Sequence, residues 1–220
     1  MNEPPEVVEP EVVAEPPRWR LPAVAAAVGV VVGVAGALGV VALTGSGSAG
    51  SGTPDVLSAK PVTGLTMVSQ GSFARIHPAG SPELCVTEGR DRTGRYDSAV
   101  AAQKSCAEVP VPHVFLEPLA DNVVQIQWQH PEFNIGCLIV MPDGPARDLL
   151  EPRDKCADDD PAQQFRLERV GTHYRFRPVV TDYCLGLRAP AAEEGAEVVQ
   201  RTCTGSEDER FDIELVNPPT

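Results

Sequence analysis

Six cysteines, four histidines and two charged loops are where this chain of 220 residues places residue types that could do chemistry. Cysteine can ligate a metal, attack a carbonyl or form a disulfide. Cys85, Cys106, Cys137, Cys156, Cys184 and Cys203 contain no close Cys-x-x-Cys pair of the kind a zinc site uses. They instead form three pairs. Each first cysteine precedes an apolar residue (Cys85-Val86, Cys137-Leu138, Cys184-Leu185), and each second follows after a nearly constant interval. That regularity predicts the bonds Cys85 to Cys106, Cys137 to Cys156 and Cys184 to Cys203, and hence an oxidising compartment. His77 and His130 stand at matching places before Pro78 and Pro131; His113 opens the first unit's closing triplet and His173 begins a strand. No Gly-x-Ser-x-Gly, His-Glu-x-x-His or phosphate-loop pattern accompanies them, so the sequence predicts no enzyme. Asp158-Asp159-Asp160 ends at Pro161 without the glycine and distal glutamate of a calcium loop, so a solvated turn is expected and no cofactor is predicted. The most ligand-like surface is the loop from Glu88 to Tyr96, with Arg90, Arg92, Arg95 and Tyr96 as candidate contacts.

These residues belong to a unit that occurs three times at intervals of roughly 50 residues. Apolar strand ends at Ile76, Trp128 and Phe176 are each followed by a proline, and a phenylalanine (Phe115, Phe165, Phe211) follows each second cysteine. Val124 to Gln129 alternates apolar and amide side chains with period two, as a strand with one buried face requires. Ala74 with Ile76, and Tyr174 with Phe176, match Ile126 with Trp128, so three apolar faces are predicted to meet on a pseudo-threefold axis. Pro 22, Gly 19 and 5% aromatic residues suit an all-β protein rich in turns.

The order of these features resembles the ricin B-chain family of β-trefoils over about 150 residues, Thr66 to Val216. In that family each unit closes with a Gln-x-Trp motif; the matching triplets are His113-Val114-Phe115, Gln163-Gln164-Phe165 and Glu209-Arg210-Phe211. The resemblance implies an all-β trefoil of three disulfide-stapled repeats and a glycan-binding role. It also implies where sugar would sit: an aspartate two residues after the first cysteine, an aromatic ring two before the second, and an asparagine ahead of the closing motif. This chain has Thr87, Ile139 and Gly186 at the first position, Lys104, Asp154 and Arg201 at the second, and Pro112, Ala162 and Asp208 at the third. Without the carboxylate and the ring, galactosides are expected to bind negligibly there. A glycan would then use other loops, Arg90 to Tyr96 first. The alternative is a protein-interaction or sensor ectodomain on a trefoil that has lost its sugar sites.

The remainder of the chain bears on location. Residues 1–20 are acidic and proline-rich without periodicity, and read as a disordered cytoplasmic tail. Residues 21–43 carry no charge; a helix of that length spans about 34 Å, against a bilayer core of about 30 Å. Arg18 and Arg20 flank it on one side and no Lys or Arg stands on the other until Lys60, so the positive-inside rule exports the chain beyond Thr44. A cleaved signal would have a shorter apolar core and a positive rather than glutamate-rich start. Ala25, Gly29, Gly33 and Ala37 recur every fourth position, a row that permits a homodimer within the membrane. Residues 44–61 read as a Gly/Ser-rich tether and 62–217 as the trefoil. The expected protein is thus a single-pass protein of the bacterial plasma membrane with an extracytoplasmic domain, its partner a glycan or protein outside the cell. A net charge of −13 argues against nucleic acid.

Overall fold

The computed structural model describes residues 59–189 and 191–219. The expected tail (1–20), membrane helix (21–43) with Ala25, Gly29, Gly33 and Ala37, and tether up to residue 58 lie outside the described residues. No helix among the described residues is long and apolar enough to cross a membrane.

The described residues form fourteen strands: β1 (Ala59–Val62), β2 (Leu65–Val68), β3 (Ser72–Pro78), β4 (Leu84–Gly89), β5 (Val100–Ser105), β6 (His113–Ala120), β7 (Val123–His130), β8 (Asn134–Val140), β9 (Leu150–Arg153), β10 (Gln164–Val170), β11 (His173–Pro178), β12 (Cys184–Leu187), β13 (Val198–Arg201) and β14 (Phe211–Leu215). From β3 onward they fall into three units of four. The first and last strand of each unit enter one sheet, in the order β10-β11-β14-β3-β6-β7, and β10 also pairs with β7. The sheet therefore closes into a six-stranded barrel and exposes no edge there. The middle strands form three hairpins, β4–β5, β8–β9 and β12–β13; the first and third stand apart as two-stranded sheets, while β8 also pairs with β7 and continues the main sheet. This is the β-trefoil arrangement expected from the repeat.

Side-chain alternation explains the barrel. Along β11, Tyr174, Phe176 and Pro178 are buried while His173, Arg175 and Arg177 are not. Equivalent positions from the three units meet in one core: Ile76 with Ile126 and Phe176, Val86 with Leu138 and Leu185, Ala101 with Leu150 and Val198; the strand registers thus align Ile126, not Trp128 as expected, with Ile76 and Phe176. A second expectation fails. Phe165 and Phe211 are buried, but Phe115 is only half-buried, because β6 turns Val114 and Leu116 inward and leaves Phe115 outside against Phe73. A triplet matched by its aromatic residue alone was thus one position out of phase in the first unit.

Disulfides join Cys85 to Cys106, Cys137 to Cys156 and Cys184 to Cys203, with Cα separations of 5.0, 5.4 and 5.1 Å. Each links the first strand of a hairpin to the chain just beyond the second. In the chain-entropy account each contributes about 3 kcal/mol, useful in a core with few large rings.

The repeat does not account for β1 and β2. This hairpin begins at Ala59, ahead of the boundary expected at Val62, and its Val62 and Met67 are fully buried in the core. Its turn residues Thr63 and Gly64 have φ of 47° and 88°; glycine adopts the latter readily. Thr63 donates from its N–H to Asn122 Oδ1 (3.1 Å) and from Oγ1 to Leu167 O (2.7 Å). Asn122 lies in the β6–β7 turn, so the hairpin closes the barrel end opposite the three cap hairpins.

Candidate functional site

The three positions at which the resemblance would place sugar contacts come together in space in the third unit, and what occupies them differs between units. In the third unit a Cβ added at Gly186 would lie 3.0 Å from Arg201 Cδ and 3.2 Å from the Asp208 carbonyl oxygen. Arg201 is ion-paired with Asp208 and also donates to Leu187 O at 3.2 Å. The ion pair thus fills the positions that the resemblance alone would give to a sugar. In the second unit Ile139 is half-buried and has no hydrogen-bonding group, and Asp154 supplies no ring.

The first residue of the closing triplet decides how tightly each unit is shut. Gln163 accepts from the Ala157 N–H (2.9 Å) and donates to Lys155 O (2.7 Å), clasping the chain on both sides of Cys156. Glu209 does the same after Cys203, accepting from the Thr204 N–H (2.7 Å), the Thr204 hydroxyl (2.8 Å) and the Gly205 N–H (2.8 Å). Burial alone would raise the Glu209 carboxyl, but these hydrogen bonds outweigh it and hold the group below its ordinary value. In the first unit Pro112 and His113 stand in this region. Among the described residues neither bonds to the chain after Cys106.

The consequence is a groove of about 460 Å³ in the first unit. Thr87, Pro112 and His113 line it together with Phe73, the Cys85–Cys106 disulfide and Asn217. Lys104, at the platform position, does not. Phe73 supplies a ring at a different place, edge-on to Phe115 at 5.1 Å and to His113 at 6.4 Å. Thr87 is 3% exposed, and its Oγ1 has no hydrogen-bond partner in the protein. Buried hydroxyls are normally bonded, and leaving one unpaired costs roughly 1–3 kcal/mol. The groove therefore combines apolar walls, an aromatic ring, the half-exposed Arg75 guanidinium, which pairs with Glu214 at 3.6 Å, and the Thr87 hydroxyl buried just beneath its surface. Its described lining contains no Asp or Glu, in a chain with 31 of them.

The loop singled out from sequence is largely committed to the fold. Arg92 donates from its N–H to Glu197 Oε1 (2.6 Å) and from Nε to Glu197 Oε2 (3.0 Å), and Glu197 is fully buried. Arg188 bridges Asp91 (3.0 Å) and Glu197 (3.2 Å), tying the first unit to the third. Burial would raise the Asp91 carboxyl, but hydrogen bonds from the Thr93 hydroxyl and N–H, from Arg188 and from the Arg95 N–H hold it at about 2, below the ordinary 3.8. Tyr96 donates to Glu151 Oε2 at 2.5 Å and packs on the small cluster of Val100, Ala146, Leu149 and Val199. Burial first, and the Glu151 bond second, raise its phenol. Arg90 is exposed and pairs with Glu88 at 3.3 Å; Arg95 is exposed. Length and charge made this loop conspicuous in sequence. The groove gave one weak signal, a polar Thr87 where its counterparts are Ile139 and Gly186.

His77, Cys85 and Cys106 lie close enough to suggest a metal trio. Both sulfurs are spent in the disulfide and offer no thiolate. His77 Nδ1 faces the carbonyl oxygens of Pro82 (2.8 Å) and Leu84 (3.1 Å), and His173 Nδ1 lies 2.8 Å from Asp212 Oδ1.

The sequence matches no protein-family model. No curated protein matches it either. Solved structures do resemble the fold. A designed threefold-symmetric protein, ThreeFoil, superposes with a TM-score of 0.50 at 16% identity, covering 64% of this chain and 96% of its own. A mosquitocidal holotoxin gives 0.54 at 14% identity over 67% of this chain, which spans 18% of the toxin. The Polyporus squamosus lectin, solved with a human-type influenza-binding epitope, gives 0.50 at 11% identity over 66% of this chain, which spans 49% of the lectin. At these identities the likeness is one of fold.

Proposed function

We propose that this chain is a membrane-anchored, extracytoplasmic binding module, not an enzyme, and that its ligand is a glycan held in the first-unit groove. The observation that carries the reading is the buried, unpartnered Thr87 Oγ1 in a groove that also presents the Phe73 ring. A ring stacks on the apolar face of a sugar, and a paired donor and acceptor fixes a hydroxyl. Because both differ in kind and place from the family's aspartate and platform, the sugar is held in another pose, and galactose and lactose are not the expected ligands. An anchor at residues 21–43 would put the groove on the outer side, where the three disulfides are stable. The acidic domain does not suit nucleic acid.

The test is a glycan array probed with the full-length chain in detergent, alongside Thr87→Trp, which fills the groove. Saturable binding of a glycan that the variant loses supports the reading. Absence of any glycan ligand, or binding unchanged by Thr87→Trp, contradicts it. The alternative, a protein-interaction ectodomain, is favoured by Val180 and Tyr183, apolar side chains 53% and 45% exposed around the β11–β12 loop. It predicts that substitutions there, not at Thr87, remove the ligand.

A further inference from the structure

Strand pairing fixes which residues correspond between the units around the groove. In each unit the first strand pairs with the fourth: Ala74 with Val114, Val124 with Phe165, Tyr174 with Phe211. The next residues, Arg75, Gln125 and Arg175, therefore hold one equivalent position. In both closed units that position addresses the clasp residue. Gln125 donates to Gln163 Oε1 at 3.0 Å. Arg175 stands beside the Glu209 carboxylate, and its Nη2 lies 4.0 Å from where a Cβ on Gly205 would be. Gly205 is itself one of the N–H donors to Glu209. The clasp oxygen thus answers two donors at once, this side chain and the N–H of the residue after the second cysteine, Ala157 or Thr204.

In the first unit both donors are present and the acceptor is not. Pro112 holds the clasp position and has no side-chain oxygen. Ala107, the counterpart of Ala157 and Thr204, lies on the groove with Arg75, and its N–H has no partner among the described residues. Arg75 is left with Glu214 at 3.6 Å, both side chains 55% exposed, and Glu214 is shared with His77 Nε2 at 3.5 Å. A pair this exposed is weak and readily exchanged. Arg75 and the Ala107 N–H accept nothing, so a pure acceptor suits them better than a hydroxyl, and the planar oxygens of a carboxylate match a guanidinium. The net charge of −13 opposes anions at long range, so the attraction is local to these donors. We propose that the groove takes a sugar bearing a carboxylate, which fills the place of the missing clasp between Arg75 and the Ala107 N–H. This rests on the groove being a glycan site.

The experiment titrates the full-length chain, in an uncharged detergent, with uronic-acid and sialic-acid oligosaccharides and with the carboxyl-reduced form of each. In the series that binds, the acid is held about 10-fold more tightly than its reduced form. Arg75→Gln removes that difference and leaves the reduced sugar unchanged. Glu214→Gln, which releases Arg75, widens it about 2- to 5-fold; a residue that only supported the fold would weaken both forms together. If acid and reduced forms bind alike and Thr87→Trp abolishes both, the groove reading stands and the carboxylate is refuted. If the advantage of the acid survives Arg75→Gln, the carboxylate lies elsewhere and the proposal is likewise refuted. If no sugar of either form binds, the groove reading and the proposal fail together.

Discussion

Replacing Thr87 with valine tests the site through stability as well as binding. The hydroxyl is 3% exposed and unpartnered, so in the free protein it is a cost. Unmade hydrogen bonds of buried groups cost roughly 1–3 kcal/mol. Although Thr87 lines a groove of about 460 Å³, its Oγ1 is itself shut off from solvent, so removing the hydroxyl should gain about 1–3 kcal/mol. Thr87→Val keeps the β-branched shape that β4 favours and adds no bulk. Urea unfolding of the full-length chain with disulfides intact should therefore give a higher midpoint and an unchanged slope. Glycan affinity should fall about 5- to 10-fold, one hydrogen bond's worth. The reasoning is refuted if Thr87→Val is destabilised by about 1 kcal/mol or more, since the hydroxyl would then have a partner, or if it is stabilised while binding glycan undiminished.

Acid should expose the inter-unit network. The Asp91 carboxyl is lowered to about 2 from 3.8, so its contribution is fully present above pH about 4 and is lost as pH falls towards 2, about 2 kcal/mol in all. Asp91→Asn should flatten the stability curve over that window in urea unfolding between pH 2 and 5; parallel curves for variant and wild type would reject the network. Non-reducing peptide mapping should recover Cys85 with Cys106, Cys137 with Cys156 and Cys184 with Cys203, and a dominant bond such as Cys106 to Cys137 would break the unit scheme. External protease on intact cells should remove the trefoil and spare residues 1–20; digestion of the tail from outside reverses the topology, and a mature chain starting near Ser46 makes the protein secreted.

The fold was legible because it is stated three times. Period-two alternation at Tyr174 and Phe176, the apolar neighbour of each first cysteine and the constant cysteine interval each had two copies to confirm them. What escaped is what the repeat does not contain: the β1–β2 hairpin that closes the barrel, and the phase of Phe115, where matching by residue type hid that Val114 faces inward. The site was harder to read for a physical reason. The groove opens where Gln163 and Glu209 have no bonded equivalent, and a lost clasp leaves no motif. The arginine loop is tied down by partners about a hundred positions away, Glu197 for Arg92 and Arg188 for Asp91; pairings so distant in sequence carry no local pattern.

The central claim is that one unit of three holds the ligand, and stoichiometry tests it most directly. Calorimetric titration of the full-length chain with the best array-selected oligosaccharide should give one site per chain, lost in Thr87→Trp and retained in Ile139→Trp and in Arg201→Lys, which keeps a cation beside Asp208. Two or three sites per chain, or one site that survives Thr87→Trp, would contradict the account.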